Sequence, residues 1–301
     1  MSTQHARLGL FQVSFAGVLW GTGGFGMELV ADHSSLTSLT VSAWRMGIAA
    51  VVLTALVAVR GAALEVRSLL ARHPVRAALA GVCTGGYQAL YFASVLDAGV
   101  TVSTVISLGV APVLLTIGEA VRARRRPSRM KTAVLATALV GLVLVSAAGG
   151  GESGGHPVRG VIEAVASGSL WALTTAISRG AATNTQPLAL NAVATTAGTL
   201  LLIPMAAIGG GPFVTSDPTT IATLLYLGIF TMALAYGLLY AGLRTVPGSA
   251  AVIAALLEPV TATVVAALFL DERIGIPGLA GTLLILGAVL ALNRSGTTSS
   301  P

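Results

Sequence analysis

The chain has 301 residues, 54% of them hydrophobic and only 9% charged, with a mean hydropathy of +0.87. A soluble globular domain carries roughly 25% charged residues, so this composition excludes a water-soluble globule and reads as an integral membrane protein. One cysteine, Cys83, in an apolar run excludes an intrachain disulfide or a cysteine cluster, and the four histidines show no metal-ligand spacing, so neither a metal nor another cofactor is expected.

A helix that crosses the hydrocarbon core needs about 20 mainly apolar residues at a rise of about 1.5 Å each. The first such stretch is Leu8–Val30, whose apolar run continues past the length of a signal-peptide core without a convincing cleavage site, and so reads as a retained helix. It contains GTGGFG, from Gly21 to Gly26, which matches a dinucleotide-binding glycine pattern in letters alone. That fingerprint needs a strand before it and an acid about 20 residues beyond; Asp32 comes too early and Glu65 too late. On a helix, Gly17, Gly21 and Gly24 instead form one smooth face, against which another helix can pack closely in lipid.

The second and third stretches are Leu36–Val59 and Val75–Leu96. Asp97-Ala98-Gly99 is a tight turn into the fourth, Val100–Val121, which is followed by the fifth, Met130–Ala148. The glycine-rich GGGESGG, Gly149 to Gly155, then divides the chain into units of residues 1–150 and 151–301. Beyond it come Gly160–Ser178, Leu188–Ile208, Thr219–Leu243, Ser249–Leu270 and Ile276–Leu292. Pro74, Pro187, Pro218 and Pro277 stand at or near helix starts, where no amide donor is needed. The fold class expected is an all-α membrane protein of ten transmembrane helices.

Basic residues near helix ends favour the cytoplasmic side. With the N-terminus inside, nearly every Lys and Arg falls in an inner segment, including the run RARRRPSRMK from Arg122 to Lys131. Arg159 and Arg273 fall outside and Arg45 within the second span. Both termini are then cytoplasmic. The net charge of +6 is a topology signal, and no nucleic-acid partner is expected.

The two halves resemble each other. Leu19-Trp20 matches Leu170-Trp171, and Tyr87 and Tyr91 match Tyr236 and Tyr240. A constant offset of 147 aligns Leu96 with Leu243, Pro112 with Pro259, Thr116 with Thr263 and Arg126 with Arg273. Five spans per copy is an odd number, so the second copy enters the membrane from the opposite side. That is the inverted-repeat organisation of many secondary transporters, with a site near the midplane. The turn LDERIG, Leu270 to Gly275, is replaced by the basic RARRRP in the first copy, as the positive-inside rule requires of an inner loop.

Trp20-Gly21, Trp44-Arg45 and LEPVTATVVAALFLDERIGIPGLAGTLLILGAVL, Leu257 to Leu290, make the chain similar to the EamA family of drug/metabolite transporters. The likeness runs through nearly the whole chain as two repeats. The first departs from the pattern: Ala111-Pro112 replaces the E-P pair, and Glu28 stands where lysine is common. The resemblance implies export of a small metabolite across the cytoplasmic membrane, through a central cavity lined from these spans.

Among candidate site residues Glu258 stands first, since an ionisable group at membrane depth is costly and marks function by default. Next to Pro259 it either handles substrate or a proton, or caps a helix that the proline breaks. Tyr87 and Tyr91 share a helix face, as do Tyr236 and Tyr240, with Gln88 alongside and Trp20 and Trp171 at equivalent positions. These residues are cavity lining or, on the plainer reading, interhelical packing and an interfacial belt. Glu28 and Arg45 lie toward the outer side on adjacent spans and are expected to form an ion pair or gate. Pro112 and Pro259 are expected to act as hinges or as passive kinks.

A secondary transporter of small polar or amphipathic compounds, including amino-acid-like ones, follows, with the lipid bilayer as surroundings and a proton as candidate coupling ion. The oligomeric state stays open. No P-loop supports ATP drive. An intramembrane enzyme would need paired acids, a histidine cluster or an activated nucleophile. A sensor or scaffold would need larger loops or a larger tail than Asn293 to Pro301.

Overall fold

The computed structural model describes residues 3–148, 156–182, 185–269 and 275–295; among these, helices account for nearly everything and no strand occurs. The linker Gly149 to Gly155, the acidic turn with Arg273, and the end of the tail lie outside the described residues, as do the side chains from Asn293 to Ser295.

In chain order the helices are α1 (Thr3–Gly21), α2 (Gly23–His33), α3 (Ser38–Val59), α4 (Ala63–Arg72), α5 (Pro74–Ala98), α6 (Val100–Ala123) and α7 (Arg129–Ala148). The second half holds α8 (Pro157–Ala182), α9 (Pro187–Gly209), α10 (Pro218–Tyr226), a π-helical stretch Leu227–Leu234, α11 (Ala235–Gly242), α12 (Gly248–Ala255), α13 (Leu257–Phe269) and α14 (Ile276–Ser295). Nine helical stretches among the described residues are long and apolar enough to cross a membrane; Ile276–Leu292 is apolar but shorter. Their outward faces carry Phe11, Val51, Leu96, Ile162, Leu200 and Leu283, each more than 60% exposed. Helices apolar all round, with large side chains left outside, belong in lipid. The protein is a multi-pass integral membrane protein.

Helix limits follow the sequence chemistry. Pro74, Pro187 and Pro218 each open their helix. At the turn between α5 and α6, Gly99 has φ 85°, a conformation glycine adopts without cost, and its amide donates to the Val95 carbonyl at 2.9 Å.

Three expected helices are interrupted instead of continuous. The first breaks at Thr22, whose hydroxyl donates to the Leu19 carbonyl at 2.7 Å and pairs with the Tyr226 hydroxyl at 2.7 Å. The eighth loosens into the π-helical stretch. The ninth breaks at Leu256, one turn before Pro259. Proline offers no amide to residue i−4 and its ring crowds that carbonyl; the carbonyl concerned belongs to Ala255, where α12 ends. Pro112 has the same chemistry yet sits inside an unbroken α6. The short amphipathic α4, which anchors through buried Leu69, is an addition to the expected elements.

The halves interlock with approximate two-fold correspondence. α5 packs on α8 as α1 packs on α11, and α6 packs on α8 as α1 packs on α12 and α13. α7 meets α14 and α3 meets α9, each pairing a helix with its own counterpart. Small residues permit these approaches. A Cβ on Gly17 would stand 2.9 Å from the Ala255 carbonyl oxygen, and one on Gly21 would collide with the Glu258 carbonyl. The corresponding Gly168 lies as tightly against the backbone of Ser107. Hydroxyls add cross-helix bonds: Ser94 donates to the Gly160 carbonyl at 2.8 Å, and Thr174 to that of Ala80 at 2.6 Å. In lipid, such packing and hydrogen bonding replace the hydrophobic drive between helices.

Candidate functional site

A central cavity of about 410 Å³ is lined from both halves. α1 and α2 contribute Trp20 and Gly24, α3 Arg45, α5 Tyr87, Gln88 and Tyr91, α8 Trp171, α11 Tyr236 and α13 Glu258. Ser38, Val95 and Val100, all at the end of the bundle that carries the Gly99 turn, form its mouth. At the opposite end Thr84, Thr174, Ser178, Leu239 and Tyr240 make a buried floor. Thr84 and Thr174 are 3.2 Å apart and both donate to the Ala80 carbonyl.

An aromatic box builds the wall. The Trp20 ring stands edge-on to Trp171 at 5.5 Å and to Tyr236 at 5.2 Å. Tyr87 lies tilted over Trp171 at 5.5 Å and stacks beyond it with Tyr91 at 6.3 Å. Edge-on and offset pairs suit the quadrupoles of these rings. The Tyr91 hydroxyl is held by Thr104 Oγ1 at 2.8 Å. Gly24 leaves room beside Trp20, since nothing lies within 4 Å of where its Cβ would be.

Two opposite charges face this apolar box. Arg45 reaches in from α3, its Nη2 donating to Thr231 Oγ1 at 3.0 Å, while its buried Nε has no hydrogen-bond partner. Glu258, half-buried, stands where the ninth helix resumes after its break. Its carboxylate enters no hydrogen bond or salt bridge with a described residue, and the charge it feels is that of Arg45. Gln88, 6% exposed, gives its amide to Met46 Sδ and leaves its carbonyl oxygen unpartnered. The cavity therefore offers a free carboxylate and a guanidinium, framed by aromatic faces, with the Gln88 side chain in its wall. Such a set can hold a small zwitterionic or amphipathic molecule.

Trp20, Tyr87, Gln88, Tyr91, Trp171, Tyr236 and Glu258 thus stand together. Tyr240 does not join them. It shares a face with Tyr236, but one turn further along α11 puts it in the floor, 1% exposed and beside Ser178 and Thr84. Nor does Glu28 pair with Arg45. It is exposed on α2 with no salt bridge among the described residues, and Arg45 turns inward toward Thr231 and Glu258. Pro259 lines a smaller adjoining pocket of about 290 Å³ with Thr104 and Thr263, whereas Pro112 is buried in α6 away from both.

The sequence did not single out Met232, which the π-helical stretch brings to the cavity, or Thr231, buried behind it and bonded to Arg45. One extra residue per turn widens the helix there, as is frequent at functional sites. The Thr231 carbonyl accepts the Trp20 indole N–H at 2.8 Å, and its hydroxyl donates to the Leu227 carbonyl. The available signal was a lone hydroxyl residue in the apolar run LGIFTMAL.

Among known proteins, the EamA-like transporter family matches the chain twice, over residues 7–147 and 158–294. The uncharacterized transporter YwfM of Bacillus subtilis strain 168 is 30% identical over 217 residues, which are 72% of each chain. The uncharacterized inner membrane transporter YicL of Salmonella typhimurium is 24% identical over 299 residues, 95% of each. One crystal structure shares the fold with a TM-score of 0.78 at 20% identity, covering 96% of this chain and 98% of that one.

Proposed function

Because the chain belongs to the EamA-like transporter family of the drug/metabolite transporter superfamily, we propose that it is a secondary transporter that exports small polar or amphipathic metabolites, amino-acid-like compounds among them, across the cytoplasmic membrane. The observation that carries this reading is the half-buried Glu258, free of hydrogen-bond partners, facing Arg45 across an aromatic-lined cavity. A metabolite with one cationic and one anionic group satisfies both charges at once, and the aromatic box takes its apolar part.

On this reading ten helices cross the membrane as two inverted repeats, residues 1–150 and 151–301, with both termini cytoplasmic. The mouth at the Gly99 end then faces outward and the floor of Thr84, Thr174 and Tyr240 is the closed inner side. Alternating access opens the floor and closes the mouth by rocking one repeat on the other. The break at Leu256 lets the two parts of the ninth helix move separately, and Pro259 acts there as the hinge. Pro112 serves as a rigid kink. Glu258 takes up a proton when no substrate cation neutralises it.

Untargeted metabolite profiling of cells with and without the protein identifies the substrate, and flux into proteoliposomes measures its transport. The expected result is unchanged substrate moved across the membrane, with a rate that responds to a proton gradient and is lost in Glu258→Gln. Flux indifferent to the gradient and tolerant of Glu258→Gln removes the proton role. Chemically altered substrate would instead mark an enzyme, and crosslinked partners without flux a sensor or scaffold.

A further inference from the structure

Two lateral grooves lie on the flanks of the bundle. One, of about 710 Å³, is lined by Thr22, Phe25, Leu29 and Val265. The other, of about 910 Å³ between α6 and α8, is lined by Gly118, Leu173, Ala176 and Gly180. Two walls of each groove correspond, while α10 closes the first and the start of α12 the second. The alignment that sets Trp20 on Trp171 carries Thr22, Phe25 and Leu29 onto Leu173, Ala176 and Gly180, and the one that sets Pro112 on Pro259 carries Gly118 onto Val265. Along those two walls the differences are substitutions at matching positions.

Those differences are chemical. The first groove has no charged lining residue. The second ends in Arg122, Arg179 and Glu119. Glu119 is already engaged by Lys131 Nζ at 2.6 Å and by the amide and hydroxyl of Ser249. Arg122 is exposed and makes no ion pair among the described residues. Among the described residues Arg179 gives only Nε, to the Val246 carbonyl at 3.0 Å, and the rest of its guanidinium fork meets no acceptor there. The groove's polar end is thus cationic.

Its floor is apolar. Leu114, Leu173 and Ala176 are exposed along it, and a Cβ on Gly118 or Gly180 would meet nothing within 4 Å. The trough runs from the guanidinium groups at the helix ends toward the middle of the bundle, on a lipid-facing flank. A soluble anion would satisfy the arginines and leave the apolar trough empty. A phosphate ester carrying acyl chains fills both, and basic pockets between helix ends attract anionic headgroups.

We propose that the groove between α6 and α8 binds an anionic phospholipid, with its phosphate on Arg122 and Arg179 and an acyl chain along Leu114, Leu173 and Ala176. The corresponding uncharged groove, at the other end of the bundle, shows no such preference.

The test uses the full chain in detergent, with dioleoylphosphatidylglycerol and dioleoylphosphatidylcholine as probes, and reads lipid retention by native mass spectrometry and the thermal midpoint. Phosphatidylglycerol is expected to be retained and to raise the midpoint more than phosphatidylcholine. Arg122→Gln with Arg179→Gln weakens that preference roughly 30-fold. Ala176→Trp, or the smaller Ala176→Phe should the first not fold, abolishes it with the charges intact. Arg125→Gln with Arg126→Gln leaves it in place. If this last pair removes the preference as fully, or a folded groove-filling variant keeps it, the interaction is diffuse surface attraction and the site is overturned. Glycerol 3-phosphate binding as tightly as the lipid would overturn it in favour of a soluble anion. No transport is read, so the outcome is separate from the function proposed for the central cavity.

Discussion

The indole N–H of Trp20 donates to the backbone carbonyl of Thr231 at 2.8 Å, tying the first half of the chain to the π-helical stretch of the second. The same Thr231 accepts Arg45 at its hydroxyl, so one widened turn holds both an aromatic wall and the cavity's cation. Trp20→Phe keeps most of the ring contacts with Trp171 and Tyr236 but orphans that carbonyl. Leaving a buried acceptor unpaired costs about 1–3 kcal/mol. The expected result is a lower thermal midpoint with correct insertion, and a transport loss that exceeds what Trp171→Phe causes, because Trp171 donates no such bond among the described residues.

Glycines three residues apart separate packing from cavity volume. Gly21→Ala puts a methyl into the Glu258 carbonyl and the Thr261 side chain, where backbone must shift; overpacking of this kind costs about 1–3 kcal/mol. Gly24→Ala meets nothing within 4 Å, so stability changes within about 0.5 kcal/mol while the space beside Trp20 shrinks. Thermal midpoints should fall for the first variant alone, and substrate affinity should change in the second without loss of folded protein.

Arg45 and Glu258 face each other across the central cavity. Arg45→Gln leaves the carboxylate without its countercharge, and Arg45→Gln with Glu258→Gln removes the mismatch. Coupled residues of this sort show interaction energies of about 0.5–3 kcal/mol. The double variant is expected to be more stable than Arg45→Gln alone, by thermal unfolding in the same detergent. Additive effects would mean that the two charges do not sense each other.

Periodicity in the sequence carried height along a helix and direction around it, and the structure shows where each sufficed. Trp20, Trp171, Tyr87 and Tyr236 converge because matching places in two copies of one unit meet at the centre. Tyr240 shares the direction of Tyr236 but lies a turn deeper, a distance that face-sharing does not encode. Glu28 and Arg45 do not meet, since Glu28 lies exposed on α2 while the Arg45 guanidinium approaches Gly23, more than a turn away. Pro259 marked the break at Leu256 by simple chemistry. The π-helical stretch had no comparable mark, and Trp20 and Arg45, the partners that its Thr231 meets, lie far off in sequence.

Asp217 caps α10, accepting the Thr220 amide at 2.6 Å and the Thr220 hydroxyl at 2.8 Å. Those bonds favour the charged form and hold its carboxyl below the ordinary value of 3.8. A depressed carboxyl stabilises the fold above its unfolded value and loses that contribution as pH falls through the lower folded value. Asp217→Asn keeps the cap geometry without the titration. Its thermal midpoint should depend less on pH than the wild type's in the acid range, with the two proteins differing most at neutral pH.

Glu119 binds the two halves at the closed end of the cavity. From α6 it accepts Lys131 at 2.6 Å and both the amide and hydroxyl of Ser249, at 3.0 and 2.6 Å, in the first turn of α12. A carboxylate at a helix N-terminus meets both the free amides and the positive end of the helix dipole. Hydrogen bonds to a charged group contribute about 1.5–3 kcal/mol each, enough to weight a two-state equilibrium by tenfold or more. If the proposed alternating access operates, Glu119→Ala should therefore favour the conformation open at this end. A cysteine at position 178, introduced as Ser178→Cys in a Cys83→Ser background, lies in the buried floor and reports that opening. Its labelling by a water-soluble maleimide should rise in Glu119→Ala and in Lys131→Ala to a lesser degree, since Ser249 still holds the acid there. If labelling stays flat while the thermal midpoint falls, the Glu119 contact fastens the helices without weighting the two states.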